Sequence, residues 1–220
     1  MTNLVIMWNE LLQNVYKHYP IGAYRYRETY PGYKEMKEMV ERKINADAND
    51  PKASCNLFYL DLKTTYPDVE VMNFNHYMFP NYVSIFELGA DKTDEKKNLS
   101  WLYVCVSLLC DYYTMFVVNT YTIYDYSKKF LSFAIFDVVS FQRKFSPYPY
   151  PNIDSIKAIV EGFFPGKAFV SHKHLQSQTV IGGIPFGLEQ NERFLQKNYT
   201  FLDYLFLNNF ADNDHIFFDH

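Results

Sequence analysis

The sequence predicts an α+β fold in which an antiparallel, mostly meander sheet spans about residues 82–141 and the N- and C-terminal helices pack on one face. Three observations carry this. The runs Trp101–Leu109, Tyr112–Tyr124 and Phe130–Val139 are rich in Val, Ile, Thr, Tyr and Phe, residues that suit a pleated, half-buried surface. Polar breaks at Cys110–Asp111 and Asp125–Lys128 separate them, as expected of neighbouring antiparallel strands. On either side of the strands, apolar residues recur at helical spacing.

In chain order, Leu4, Trp8, Leu11, Leu12, Val15, Tyr16 and Tyr19 form the stripe of an amphipathic helix stopped by Pro20. Tyr24-Arg-Tyr-Arg27 alternates aromatic and basic residues and reads as an edge strand with its arginines in water. Pro31-Gly32 opens a second helix, with Tyr33, Met36, Met39, Val40 and Ile44 on one face and charged residues on the other. The Asn/Asp-rich segment 45–51 ends it. Leu57–Leu62 is a short strand or a helical turn, since it shows no clean period, and Val69–Phe74 is a short strand. Tyr82–Leu88 is a better strand, and the charged stretch Asp91–Asn98 reads as an exposed hairpin loop leading to Trp101. In the central strands, alternation of period two puts Val104, Val106, Phe116, Val118, Phe133 and Ile135 on one buried face. Val117 and Ala134 on the other face suggest that it is partly covered too.

Phe145-Ser-Pro-Tyr-Pro-Tyr-Pro151 cannot join a ladder and reads as a rigid connector. Asn152 or Asp154 caps the next helix, whose apolar face is Ile153, Ile156, Ile159, Val160 and Phe163. Ala168–Val170 and Thr179–Ile181 read as short strands. A final helix is expected around Leu195–Phe206, restarted at Thr200 by a capping-box-like pairing with Asp203. At 220 residues a single domain is expected. Residues 1–50 form its helical N-terminal region, residues 57–141 the central sheet, and residues 152–210 a C-terminal region of helix and strand.

Composition excludes several function classes. A net charge of -4 and a pI near 5.9 offer no surface-wide attraction for a phosphate backbone, so no nucleic acid is expected. No stretch approaches the ~20 apolar residues of a membrane span, and no export signal is visible, so no membrane and a cytoplasmic location are expected. Cys55, Cys105 and Cys110 form an odd set without CxxC spacing, which fits a reducing compartment.

Chemistry-bearing motifs are sparse. His172-Lys-His174 would place two imidazoles on one face of a strand, but two ligands are too few for a metal. Ile181–Gly187 is glycine-rich without GxGxxG order or a P-loop ending, and reads as a turn. No GxSxG or HExxH signature occurs, and Asp111 beside Cys110 disfavours its thiolate. No catalytic residue, cofactor or metal is therefore expected.

Aromatic residues make up 19% of the chain, with 20 Tyr and 20 Phe, and such residues supply interface anchors. The expected function is a protein-binding module. In being a compact, acidic α+β domain without catalytic signatures, the chain is similar to bacterial immunity-type proteins; the likeness implies a cytosolic inhibitor of a basic toxin domain. The alternatives are a small-ligand binder or enzyme with an aromatic-lined cavity, and a structural or assembly subunit. The links between the central strands, Asp111-Tyr112-Tyr113 and Tyr124-Asp125-Tyr126, combine carboxylates with aromatic rings and are the candidate partner-binding residues.

Overall fold

Pro31 opens a helix that crosses its predecessor so closely that only glycine fits at the contact. In the first helix, α1 (Thr2–His18), and the second, α2 (Pro31–Asn49), a Cβ on Gly32 would fall 1.6 Å from the Lys17 carbonyl oxygen. The Gly32 carbonyl oxygen instead lies 3.0 Å from His18 Nδ1. The computed structural model describes residues 2–19, 24–74, 79–92, 96–124, 130–138, 151–181, 183–188 and 198–206.

After α2 come α3 (Ser54–Thr65), β1 (Glu70–Asn73), β2 (Asn81–Lys92), β3 (Lys96–Ser107), β4 (Tyr112–Tyr124) and β5 (Phe130–Val138). Then follow α4 (Ile153–Phe163), β6 (Ala168–Phe169), α5 (His172–Gln176), β7 (Thr179–Val180), β8 (Tyr199–Thr200) and α6 (Phe201–Leu205). The main sheet runs β1-β2-β3-β4-β5 with every neighbour antiparallel, and β6 pairs in parallel with the start of β4. This is the expected meander, extended by β1 at one edge. The fold class is α+β, with the N- and C-terminal helices on one face.

That face is closed by α1, α2, α5 and α6. Leu11, Val15, Met36, Leu175, Leu202 and Leu205 pack there against Val83, Ile85, Cys105, Phe116 and Val118. Tyr19 ties the two ends of the chain together by donating to the Tyr204 carbonyl at 2.8 Å. The other face is covered as well, by α3 and α4: Phe58, Leu62, Ile156 and Val160 pack on Leu102, Val104, Val106, Met115 and Val117. A sheet buried on both faces reads as continuous apolar runs rather than clean alternation.

Several expectations change. Val104 and Val106 do not share a face with Phe116 and Val118: Tyr103 pairs with Phe116 and Val104 with Met115, so the two pairs face opposite layers. All four are buried. The side chains of Phe133 and Ile135 lie outside the described residues. Tyr24–Thr29 is a 3₁₀ helix, not an edge strand. Local contacts hold it there: the Arg27 carbonyl accepts the Tyr30 N–H at 2.8 Å, and the Arg27 guanidinium sits 5.6 Å from the Tyr33 ring centre. Leu57–Leu62 lies within α3, whose buried residues Cys55, Phe58 and Leu62 follow a spacing of three and four. The β2–β3 ladder continues to Lys92 opposite Lys97, so most of the charged 91–98 stretch is strand rather than loop. The helix α2 continues through Asn49, past the point where its polar sequence suggested an end.

Other readings stand. Asn152 Oδ1 caps α4 by accepting from the Asp154 and Ser155 N–H groups at 3.0 and 3.3 Å. The Thr200 N–H donates to the Asp203 carboxylate at 2.7 Å at the start of α6. The proline-rich stretch up to Tyr150 and the tail from Leu207 lie outside the described residues.

Candidate functional site: the β1 edge and the α3 cleft

The edge of the sheet at β1 borders an open cleft. The Val69 N–H closes a turn on the Tyr66 carbonyl at 3.2 Å, and the chain then runs straight into the ladder with β2. Glu70 pairs with Glu87, Val71 with Phe86, Met72 with Ile85 and Asn73 with Ser84. The Phe74 N–H donates to the Val83 carbonyl at 2.9 Å, which fixes the phase of the ladder. Main-chain groups of Glu70, Met72 and Phe74 therefore turn toward β2, and those of Val71 and Asn73 turn outward. The hydroxyl of Tyr59 agrees with this direction by donating to the outward Val71 carbonyl at 3.2 Å.

Between this edge and α3 lies an open cleft of about 850 Å³, bounded by Tyr59 and Lys63 on the helix, the Pro67–Val69 turn, and β1 through Phe74. Val71 is buried beneath it, whereas Glu70, Asn73 and Phe74 are exposed. Phe74 stacks on the buried Phe79, with ring centres 6.1 Å apart. Leu57 and Leu60 add two exposed apolar side chains on α3. Asp68 and Glu70 line the strand side of the cleft and Lys63 its helix side.

The residues expected to bind a partner are not gathered in one place. Asp111 is exposed, with its carboxylate 3.8 Å from Lys167 Nζ. Its carbonyl accepts the Ala168 N–H at 2.9 Å, so this link is the start of the β4–β6 ladder. Tyr112 is half-buried, and its hydroxyl donates to the Glu10 carboxylate. Burial, with that hydrogen bond second, raises its pKa. Tyr113 is fully buried under α4, donates to Glu161 at 2.8 Å, and has no surface to offer a partner. Tyr124 is the last residue of β4, at the strand's opposite end, with its side chain outside the described residues. Asp125 and Tyr126 also lie outside them.

The histidine pair is divided. His172 and His174 sit on α5, where two residues of separation point side chains to different sides of a helix. His172 is buried with its ring 5.3 Å from that of Phe116, and burial pushes its pKa down to about 3. His174 is exposed, edge-on to Trp8 at 6.3 Å. Among the described residues no group of three His, Cys, Asp or Glu is placed to hold a metal. Burial, more than the neighbouring Asp111, pushes the Cys110 thiol up to about 11. In the glycine-rich loop, the Gly183 carbonyl accepts the Tyr204 hydroxyl at 2.7 Å and Gly187 has φ near 90°, a turn that brings backbone against the core.

Sequence reasoning missed the β1 edge, because a four-residue strand carries no sign of its place at the end of the strand order. It also missed Lys43, which is buried and donates to the Phe79 and Asn81 carbonyls at 2.9 and 3.0 Å. Its place on the Met36–Val40 stripe, three residues on, was the available signal.

No family model matches the chain, and no curated protein or solved structure matches it either. Among the described residues no helix is long and apolar enough to cross a membrane.

Proposed function

We propose that the chain is a protein-binding module that receives an extended segment of a partner along β1, in the manner of strand addition. One observation carries the reading: Val71, whose main-chain groups turn outward from the ladder, borders an open cleft whose other wall is α3. Main-chain pairing would supply affinity, and alternate side chains of the segment would enter the cleft beside Tyr59 and Lys63. The acidic residues Asp68 and Glu70 favour a basic partner, and the exposed Leu57, Leu60 and Phe74 offer apolar contact. An immunity-type role against a basic toxin domain is one form this function takes in a small acidic protein. Three buried free thiols accord with a cytoplasmic setting.

The experiment is selection of binders from a random linear peptide library against the parent chain, followed by titration against Asn73→Pro. Proline at this edge position deletes an outward N–H and leaves the ladder with β2 intact. Selected peptides should lose at least about tenfold in affinity for Asn73→Pro, with folding checked by circular dichroism. Binders indifferent to the substitution would place the interface elsewhere.

A further inference from the structure

The contact between β4 and α5 gathers three buried polar atoms that have no hydrogen-bond partner. Thr114 shares a strand face with Phe116, two residues on, and Phe116 belongs to the layer under the terminal helices. The Val170 N–H donates to the Tyr113 carbonyl at 2.9 Å, which sets the chain leading into α5 beside Thr114. Two residues later the His172 ring lies 5.3 Å from that of Phe116, so the first turn of α5 rests on this part of β4. Gln176 follows His172 by four positions and shares its side of the helix. Thr114 and His172 are 0% and 1% exposed. Thr114 Oγ1, His172 Nδ1 and Gln176 Oε1 are all shielded from solvent, and each is unpaired. Unmet buried polar groups cost stability, and folded proteins seldom leave several together.

We infer that the β4–α5 contact is a binding site for one internal water molecule, bridging Thr114 Oγ1, His172 Nδ1 and Gln176 Oε1. The balance of donors and acceptors selects water. The Gln176 oxygen can only accept, so the occupant must give it a hydrogen. The threonine hydroxyl can donate or accept, and so can Nδ1 of a neutral imidazole, according to its tautomer. Burial holds His172 in that neutral form by pushing its pKa down to about 3. Water gives two hydrogens and takes two, which meets all three groups, and buried waters typically make about three hydrogen bonds. An anion would have nothing to offer the Gln176 oxygen. A metal ion would find His172 as its one nitrogen ligand, and among the described residues no group of three His, Cys, Asp or Glu is placed to complete a set. The bridge has a structural consequence. The helix α5 has five residues and no side-chain cap, so its seat on the sheet depends on such contacts and on the buried Leu175.

Water-selective NMR on the labelled parent chain tests this. Cross-relaxation from water should reach both the Thr114 methyl group and the His172 Hε1 proton, with the sign of a water that stays longer than the molecule takes to tumble. The same spectra are recorded on Thr114→Val, which keeps the shape and removes the hydroxyl, and on Gln176→Leu, with folding checked by circular dichroism. The His172 contact should vanish in Thr114→Val and weaken in Gln176→Leu, and the His172 Nδ1 shift should move in both. A His172 contact unchanged in Thr114→Val would mean relay through the imidazole's own exchanging N–H, and would overturn the inference. An Nδ1 shift that moves in Thr114→Val, with no water contact in the parent, would mean a direct threonine–histidine hydrogen bond and overturn it too. Should either variant fail to fold, the parent spectrum decides: a long-lived water at both protons supports the bridge, and its absence at either one rejects it.

Discussion

Tyr59 donates its hydroxyl hydrogen to the Val71 carbonyl oxygen at 3.2 Å, so a helix side chain holds an outward acceptor of the edge strand. Proteins commonly shield an exposed edge in this way. An incoming strand needs that acceptor, and the tyrosine has to release it. Tyr59→Phe should therefore raise affinity for a β1 ligand several-fold while lowering stability by about 1 kcal/mol or less. Calorimetric titration paired with urea denaturation separates the two effects. Weaker binding by the phenylalanine variant would show that the hydroxyl contacts the ligand instead of competing with it.

The double-sided sheet makes a second expectation. Val104 packs under α3 and α4, and Val118 under the terminal helices; both are buried. Val104→Ala and Val118→Ala should each cost on the order of 1–3 kcal/mol. Their chemical-denaturation midpoints check this. An unchanged midpoint for either would show that its layer is not a tightly packed core.

Two buried imidazoles contribute to the pH dependence of stability on the acid side. Burial lowers His172 from 6.5 to about 3 and also lowers His18. The unfolded chain takes up protons on both groups near the ordinary histidine value, and the folded chain resists. Their contribution is thus fully present above about pH 6.5 and is lost as pH falls below it. For His172 alone the slope reaches about 1.4 kcal/mol per pH unit. His172→Gln should give a shallower fall in stability between about pH 6 and pH 4 than the parent. Parallel curves for parent and variant would mean that His172 is protonated in the fold or titrates normally.

The helices α1, α2 and α4 and the central strands were legible because their apolar spacing is regular and their punctuation is local: Pro31, Asn152 and the polar breaks between strands. The two-layer cover was less so. Val117 and Ala134 on the second face hinted at it, but which strand face meets which helices depends on the β3–β4 register, a pairing between distant residues. The same holds for the site. Tyr113 carries the composition of an interface anchor, yet the neighbouring β6 and α4 bury it.

The central claim is that a partner segment pairs with β1, and hydrogen exchange reads that pairing directly. With a library-selected peptide at saturation, the Val71 and Asn73 amides should exchange at least about tenfold more slowly than in the free chain. The Asp111 and Tyr112 amides should keep their rates. Slowed exchange at Asp111 and Tyr112 with Val71 and Asn73 unchanged would contradict the account and return the interface to the start of β4.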